Sequence, residues 1–428
     1  MNESNLAEYK SKLRTPEQII DMIEDGWYIN AGQAAGGPVT LFDALGKNKA
    51  KDVTLQASLI TGDFPFCHDD CGLWHEAWFF GPAERAWHKQ HLSTFTPAHL
   101  SQCANRVLTR TKPSMFWGVS APMDNHGNFN IAYGIAYEMD MLEEADIVVL
   151  EVNENAPHTI GENTVSIRDV DFFVESAHEP LTTNAVPTTE LDDIIGRNVA
   201  SLVEDRSVIQ LGIGGIPNAV AEHFTDKKDL GVHTEMITDS MASLYEAGVI
   251  TNRNKQIYRN VMVGTFVFGS KELYQFVDNN PTVQLIRGSR SNDPFVIAQN
   301  DNMVSINTCI QIDLSGQVCS EEIGTKQYSG TGGQFDTAYG AQRSRGGKSI
   351  IALHSTAKND AISTIVPFHD RGAVVSLGRN DVDYVVTEYG VAQLRGRTVS
   401  QRVEALIAIA HPNFRDALSR QADEFEIW

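Results

Sequence analysis

Glu235 stands in the stretch GVHTEMITDS, residues 231–240, at the point where the apolar alternation of a strand runs out. Neither Lys nor Arg occurs between Lys228 and Arg253, so no sequence neighbour neutralises it. Asp239 is expected to cap a helix over MASLYEAG that stops at Gly248. A nearby helix N-terminus keeps a carboxylate ionised, and a partly desolvated carboxylate can act as a nucleophile; a solvated strand-end acid is the plainer reading. The strand SVIQL (207–211) runs directly into GIGGIPNAVAEHF, with Pro217 at the start of a helix. Such a strand, glycine turn and helix start can aim the N–H groups of Gly212, Ile213, Gly214, Gly215 and Ile216 at an anion or a developing oxyanion. A tight connection would use the same residues. The turn lacks the Gly-Lys-Ser/Thr ending of a nucleotide P-loop and the spacing of a dinucleotide fingerprint, which weakens the kinase and dehydrogenase readings.

Two later stretches, YSGTGGQFD (328–336) and HSTAKNDAISTIVP (354–367), are expected to form neither regular helix nor regular strand. In the first, Gly330, Gly332 and Gly333 can let the backbone approach a ligand and build an anion-binding concavity. The second carries Lys358, and IDLSGQVC (312–319) carries Asp313 in a hairpin turn. Cys67, His68, Cys71 and His75 could be read as zinc ligands, but no second Cys-x-x-Cys pair completes the set. The wider segment 63–99 is rich in His and Trp, and its aromatics from Trp74 to Trp87 are expected to be exposed, as a lid or a subunit interface that makes self-association as a homodimer plausible.

The elements that must position these residues are written twice. IEDGWYINAGQAAGGP (23–38) matches VEDRSVIQLGIGGIP (203–217), with Asp25 on Asp205 and Gly32 on Gly212. DVTLQA (52–57) is matched to GVHTEM (231–236), which sets Glu235 opposite Gln56. MDNHGNFN (123–130) matches IDLSGQVC, and RDVDFFVE (168–175) matches NDVDYVVT (380–387), in the same order. Thr15 with Gln18 and Thr189 with Asp192 read as capping boxes opening the first helix of each copy. Apolar strands IVVLEV (147–152), SIIAL (349–353) and AVVSL (373–377) alternate with helical stretches. The fold class is therefore α/β, two related open domains arising from an internal duplication, with the boundary in the Pro- and Thr-rich linker: residues 1–184 and residues 185–428.

A chain of 428 residues is long enough for two cores. A formal charge of −21 disfavours nucleic-acid and anionic-membrane partners. Five cysteines, no signal segment before residue 30 and no apolar run of about 18 residues point to a cytoplasmic chain with reduced thiols.

Six stretches in order, GIGGIP, HTEMITDSMASLYEAGVITN, GSRSNDP, YSGTGGQFD, STAKNDAISTIVP and VVTEYGVAQLRGRT, resemble the acetyl-CoA hydrolase/transferase family of CoA-transferases, in particular its shorter 4-hydroxybutyrate and butyryl-CoA:acetate branch. The resemblance spans nearly the whole chain. It implies two α/β CoA-transferase domains, the second carrying a catalytic glutamate, Glu235, that attacks an acyl-CoA thioester. A mixed anhydride and then a glutamyl-CoA thioester follow, with ping-pong kinetics between short-chain acyl groups and acids such as acetate, butyrate or 4-hydroxybutyrate. It also implies that Ile213 N–H, the Asn292 side chain and the N–H of either Gly332 or Gly333 donate to oxyanions. Gly212 to Ile216 and Gly333 would contact CoA, with Lys358 near its phosphates and Asp313 as a further contact. CoA is then a substrate, the partners are acyl-CoA and small carboxylic acids, and no metal or redox cofactor is needed. By symmetry, Gln56 and the turn 32–38 should shape an acid pocket. An acyl-CoA hydrolase on the same scaffold and a non-catalytic acyl-CoA-binding protein are the alternatives.

Overall fold

The computed structural model describes residues 3–68, 71–183 and 186–427. The expected boundary rests on residues 184 and 185, which lie outside the described residues. The chain divides into two compact units, Met1–Thr183 with Val263–Arg290, and Asn184–Met262 with Ser291–Trp428. A single cut along the chain does not produce this division, because Val263–Arg290 belongs to the first unit. Its ties there are distant in sequence: Tyr274 Oη donates to the Leu181 carbonyl at 2.7 Å, His158 N to Asp278 Oδ1 at 2.7 Å, and Leu285 N to the Ile160 carbonyl at 2.8 Å. Such partners leave no trace in local patterning.

The first unit is built on a seven-stranded sheet, in the order Ser93–Phe95, Leu73–Ala77, Val53–Gln56, Tyr28–Ala31, Met115–Ser120, Ile147–Asn153, Phe172–Ser176. Every neighbouring pair is parallel. That arrangement suits runs such as MFWGVS, buried at all six positions, since a parallel sheet is covered on both faces. Ile29, Leu41, Phe42, Leu55, Trp87 and Trp117 share its core. The segment 63–99 is part of this unit, and the expectation of an exposed aromatic face is corrected: Trp78, Phe80 and Trp87 are 3%, 1% and 5% exposed, and only Trp74 stands out, at 42%. The cause is that Leu73–Ala77 is an interior strand and the rings find partners inside the unit: Trp87 of the helix Pro82–Lys89 meets His75, Phe80 meets His88 of the same helix, and Trp78 meets Tyr137.

The second unit has a six-stranded sheet: Gly231–Val232, Val208–Leu211, Met303–Thr308, Lys348–Ala352, Tyr384–Thr387 and Gly390–Gln393. The first five are parallel and the last is an antiparallel edge. AVVSL forms no strand; Val374 and Val375 are 40% and 45% exposed, and only Leu377 makes a bridge, to Val318. HSTAKNDAISTIVP is more regular than expected, with Thr356–Ala357 paired to Ile362–Ser363 and Ile365–Val366 beside Gln311–Asp313.

The repeated motifs do the same local work in each unit. Thr15 and Thr189 both complete capping boxes. Asp25 Oδ1 accepts from Lys51 N at 2.7 Å and Asp205 Oδ1 from Lys228 N at 2.9 Å. Asp124 Oδ1 accepts from the N–H groups of His126 and Asn128, and Asp313 Oδ1 from those of Ser315 and Gln317. One pairing shifts. Thr54 lies opposite Tyr28 and Gly231 opposite Val208, so the counterpart of Gln56 is His233, two residues before Glu235. Among the described residues no helix is long and apolar enough to cross a membrane.

Candidate active site

Three of the candidate stretches of the second unit leave the C-terminal edge of its parallel strands, where ligand sites of open α/β sheets gather, while Asn292 arrives on the segment after Val283–Leu285. Glu235 follows Gly231–Val232, the glycine turn follows Val208–Leu211, and the Lys358 loop follows Lys348–Ala352. The start of the helix Gln334–Arg343 is tied to the end of Met303–Thr308, where Gln334 Nε2 donates to the Thr308 carbonyl at 2.8 Å. YSGTGGQFD thus ends in a helix whose N-cap is Gly333, which corrects its reading as wholly irregular.

Glu235 lies between the short strands Gly231–Val232 and Met236–Ile237, ahead of the helix Asp239–Glu246, whose N-cap is Thr238 where Asp239 was expected. As a residue, Glu235 is half-buried. Asn292 Nδ2 donates to Glu235 Oε2 at 3.3 Å, and the Gly333 backbone also hydrogen-bonds the carboxylate. Burial raises the Glu235 pKa to about 7, against the two hydrogen bonds, which favour the ionised form. A Cβ at position 333 would sit 2.2 Å from both Asn292 Nδ2 and Glu235 Oε2, so only glycine lets the three groups meet. Gly332 has φ +53 and makes the turn that precedes this contact.

The glycine turn opens the helix Gly215–Glu222, with Gly214 as N-cap at φ +119, a conformation that favours glycine. Gly214 brings no side chain of its own to this helix start, the Asp192 carboxylate lies close to Gly215, and Ile213 is 52% exposed. In the first unit the helix Val39–Leu45, which follows the matching turn, is different: Glu151 Oε2 accepts from Thr40 N at 3.0 Å and Leu41 N at 3.1 Å, and Glu151 Oε1 meets His178 Nε2 at 3.0 Å. A carboxylate of the protein therefore occupies that helix start. Lys358 is exposed at the tip of the hairpin 356–363. Asp313 is 2% exposed, and both of its oxygens are engaged inside its turn, Oδ2 by Gln317 Nε2 at 2.7 Å. The structure does not bring it to Glu235.

The four zinc candidates do not converge. Both ring nitrogens of His75 are engaged, by Ser93 Oγ at 2.7 Å and the Ala57 carbonyl at 3.0 Å, and His68 pairs with Asp63 at the surface. Absent from the sequence expectations are His233 and Lys255, buried polar side chains beside the strand that leads to Glu235. Lys255 Nζ donates to the Val232 carbonyl at 2.6 Å, and burial lowers its pKa to about 7. The signal was present in His233, a polar residue within an apolar strand.

Residues 1–184 match the acetyl-CoA hydrolase/transferase N-terminal domain, and residues 269–422 match the C-terminal domain of the same family. The chain is 42% identical to the 4-hydroxybutyrate coenzyme A transferase of Clostridium kluyveri, over 96% of this chain and 97% of that one. It is 35% identical to the butyryl-CoA:acetate CoA-transferase of Anaerostipes caccae, over 98% of each. The crystal structure of RipA from Yersinia pestis superposes with a TM-score of 0.94 at 32% identity, covering 100% of both chains. With both halves matched and full-length relatives at this identity, the chain belongs to the acetyl-CoA hydrolase/transferase family.

Proposed function

We propose that the protein is a CoA-transferase that moves CoA between short-chain acyl-CoA and a carboxylic acid such as acetate, butyrate or 4-hydroxybutyrate. The observation that carries this reading is the Glu235 carboxylate held against two hydrogen-bond donors, Asn292 Nδ2 and the Gly333 backbone. Glu235 attacks the thioester carbonyl, expels CoA thiolate and forms a mixed anhydride. The thiolate then attacks the glutamyl carbonyl, releasing the first acid and leaving a glutamyl-CoA thioester. An incoming carboxylate reverses both steps. No proton or electron is gained or lost overall, so the protein must stabilise oxyanions and exclude water. The two donors already on Glu235 suit the oxyanion that forms whenever its own carbonyl is attacked. The Gly333 contact favours Gly333 over Gly332 for this role.

The helix start at Gly214 to Ile216, with Ile213 N–H beside it, suits the thioester oxygen and CoA, and exposed Lys358 suits a CoA phosphate. The filled helix start of the first unit supports assigning CoA to residues 185–428 and not to residues 1–184. Shared strand order, capping boxes and Asp turns support a duplicated ancestor for the two units.

Incubation with acyl-CoA followed by peptide mass measurement should find CoA attached to the peptide containing Glu235, and E235Q should lose both the adduct and turnover. Full turnover in E235Q would sink the proposal. The family model spans hydrolases as well. CoA release that is independent of added acetate would favour that second reading.

A further inference from the structure

We infer that His233 is a positioning residue for the transfer reaction, its ring clamping the backbone beside Asn292 to the strand end that carries Glu235; this rests on the transferase reading above. His233 Nε2 lies 2.8 Å from the Ser291 carbonyl, and Ser291 Oγ reaches back to the Thr234 carbonyl at 3.4 Å. The two bonds run in opposite directions between His233 and Thr234, two residues and one residue before the nucleophile, and Ser291, immediately before its side-chain donor. They set how far Asn292 stands from Glu235.

The tautomer follows from the neighbours. Asn300 Oδ1 accepts from Gln256 N at 3.2 Å and Ile257 N at 3.4 Å, so its Nδ2 faces His233 Nδ1 at 3.3 Å. Nδ1 therefore accepts, Nε2 carries the proton, and Nε2 donates to Ser291. This needs a neutral ring, and burial, reinforced by Lys255, lowers the His233 pKa to about 3. Lys255 fixes the preceding residue through the Val232 carbonyl, and Asn252 Oδ1 holds Val232 N at 2.8 Å. His233, Ser291, Asn292 and Asn300 are all buried, so water does not substitute for a lost bond.

A histidine that merely fills space could be exchanged for phenylalanine at little kinetic cost. A clamp could not, because a displacement of about 1 Å at reacting groups costs about 100-fold in rate. H233F should lower kcat by about 100-fold while KM for acyl-CoA stays within about threefold, since the misplaced group serves the chemical step. H233Q, which can still reach Ser291 with an amide N–H, should recover kcat to within about fivefold of the parent. A parental kcat in H233F, or equal losses in both variants, overturns the inference. If H233F does not fold, H233Q decides alone, and a loss well beyond about fivefold counts against the clamp. E235Q assayed in parallel separates the two claims: an active E235Q removes the transferase reading, whereas an inactive E235Q beside a fully active H233F removes only the clamp.

Discussion

Glu235 is asked to be a nucleophile although burial favours its protonated form. The consequence is a pH profile. Turnover limited by the ionised fraction should rise with pH through a midpoint near 7 and level off above it. A flat profile between pH 5.5 and 8 would contradict this. Stability runs the other way. The folded state holds the proton more tightly than the unfolded chain, so the Glu235 contribution is greatest below its ordinary value of 4.5 and is lost as pH rises to about 7. E235Q should therefore be more stable than the parent at pH 8, by about 1–3 kcal/mol, with the gap closing toward pH 4.5 in thermal melts. At Gly333 the limit is steric. G333A pushes a methyl between Asn292 and Glu235 and should cost at least about 100-fold in kcat while the melting temperature changes little. An alanine variant with parental kcat would show that the three groups need not meet.

Among the elements, the Asp turns are the clearest case of structure explaining a residue that resemblance had offered to the ligand. Asp313 spends both oxygens on its own hairpin, as Asp124 does in the first unit. D313A should lower stability by about 1–3 kcal/mol and leave KM for acyl-CoA unchanged. A raised KM without a change in melting would restore it as a CoA contact. The elements that were legible in sequence are those with a local cause: the capping boxes at Thr15 and Thr189, and the Gly214 turn that no side chain with a Cβ would favour. AVVSL was misread because an apolar run reports burial only when a sheet has a place for it. The two-residue slip at Gln56 has a related origin: the two units share the backbone pairing, Tyr28 with Thr54 and Val208 with Gly231, while the side chains there differ.

For the molecule as a whole, charge opposes the proposed substrate. A formal −21 repels polyanionic acyl-CoA, so raising ionic strength from about 10 to 150 mM should lower KM for acyl-CoA, and an increase would indicate that local cations dominate. Composition and the ordered motifs sufficed for the α/β class, the family resemblance and Glu235 as the residue to test, because glycine turns, caps and periodic apolar strands are caused by neighbours in the chain. Tertiary structure alone decided that Val263–Arg290 belongs to the first unit, that Trp78, Phe80 and Trp87 are core, and that Asn292 and Gly333 meet Glu235. The physical reason is that burial, pKa and reach depend on atoms brought close by folding across tens to hundreds of residues, and short-range sequence pattern carries no record of them.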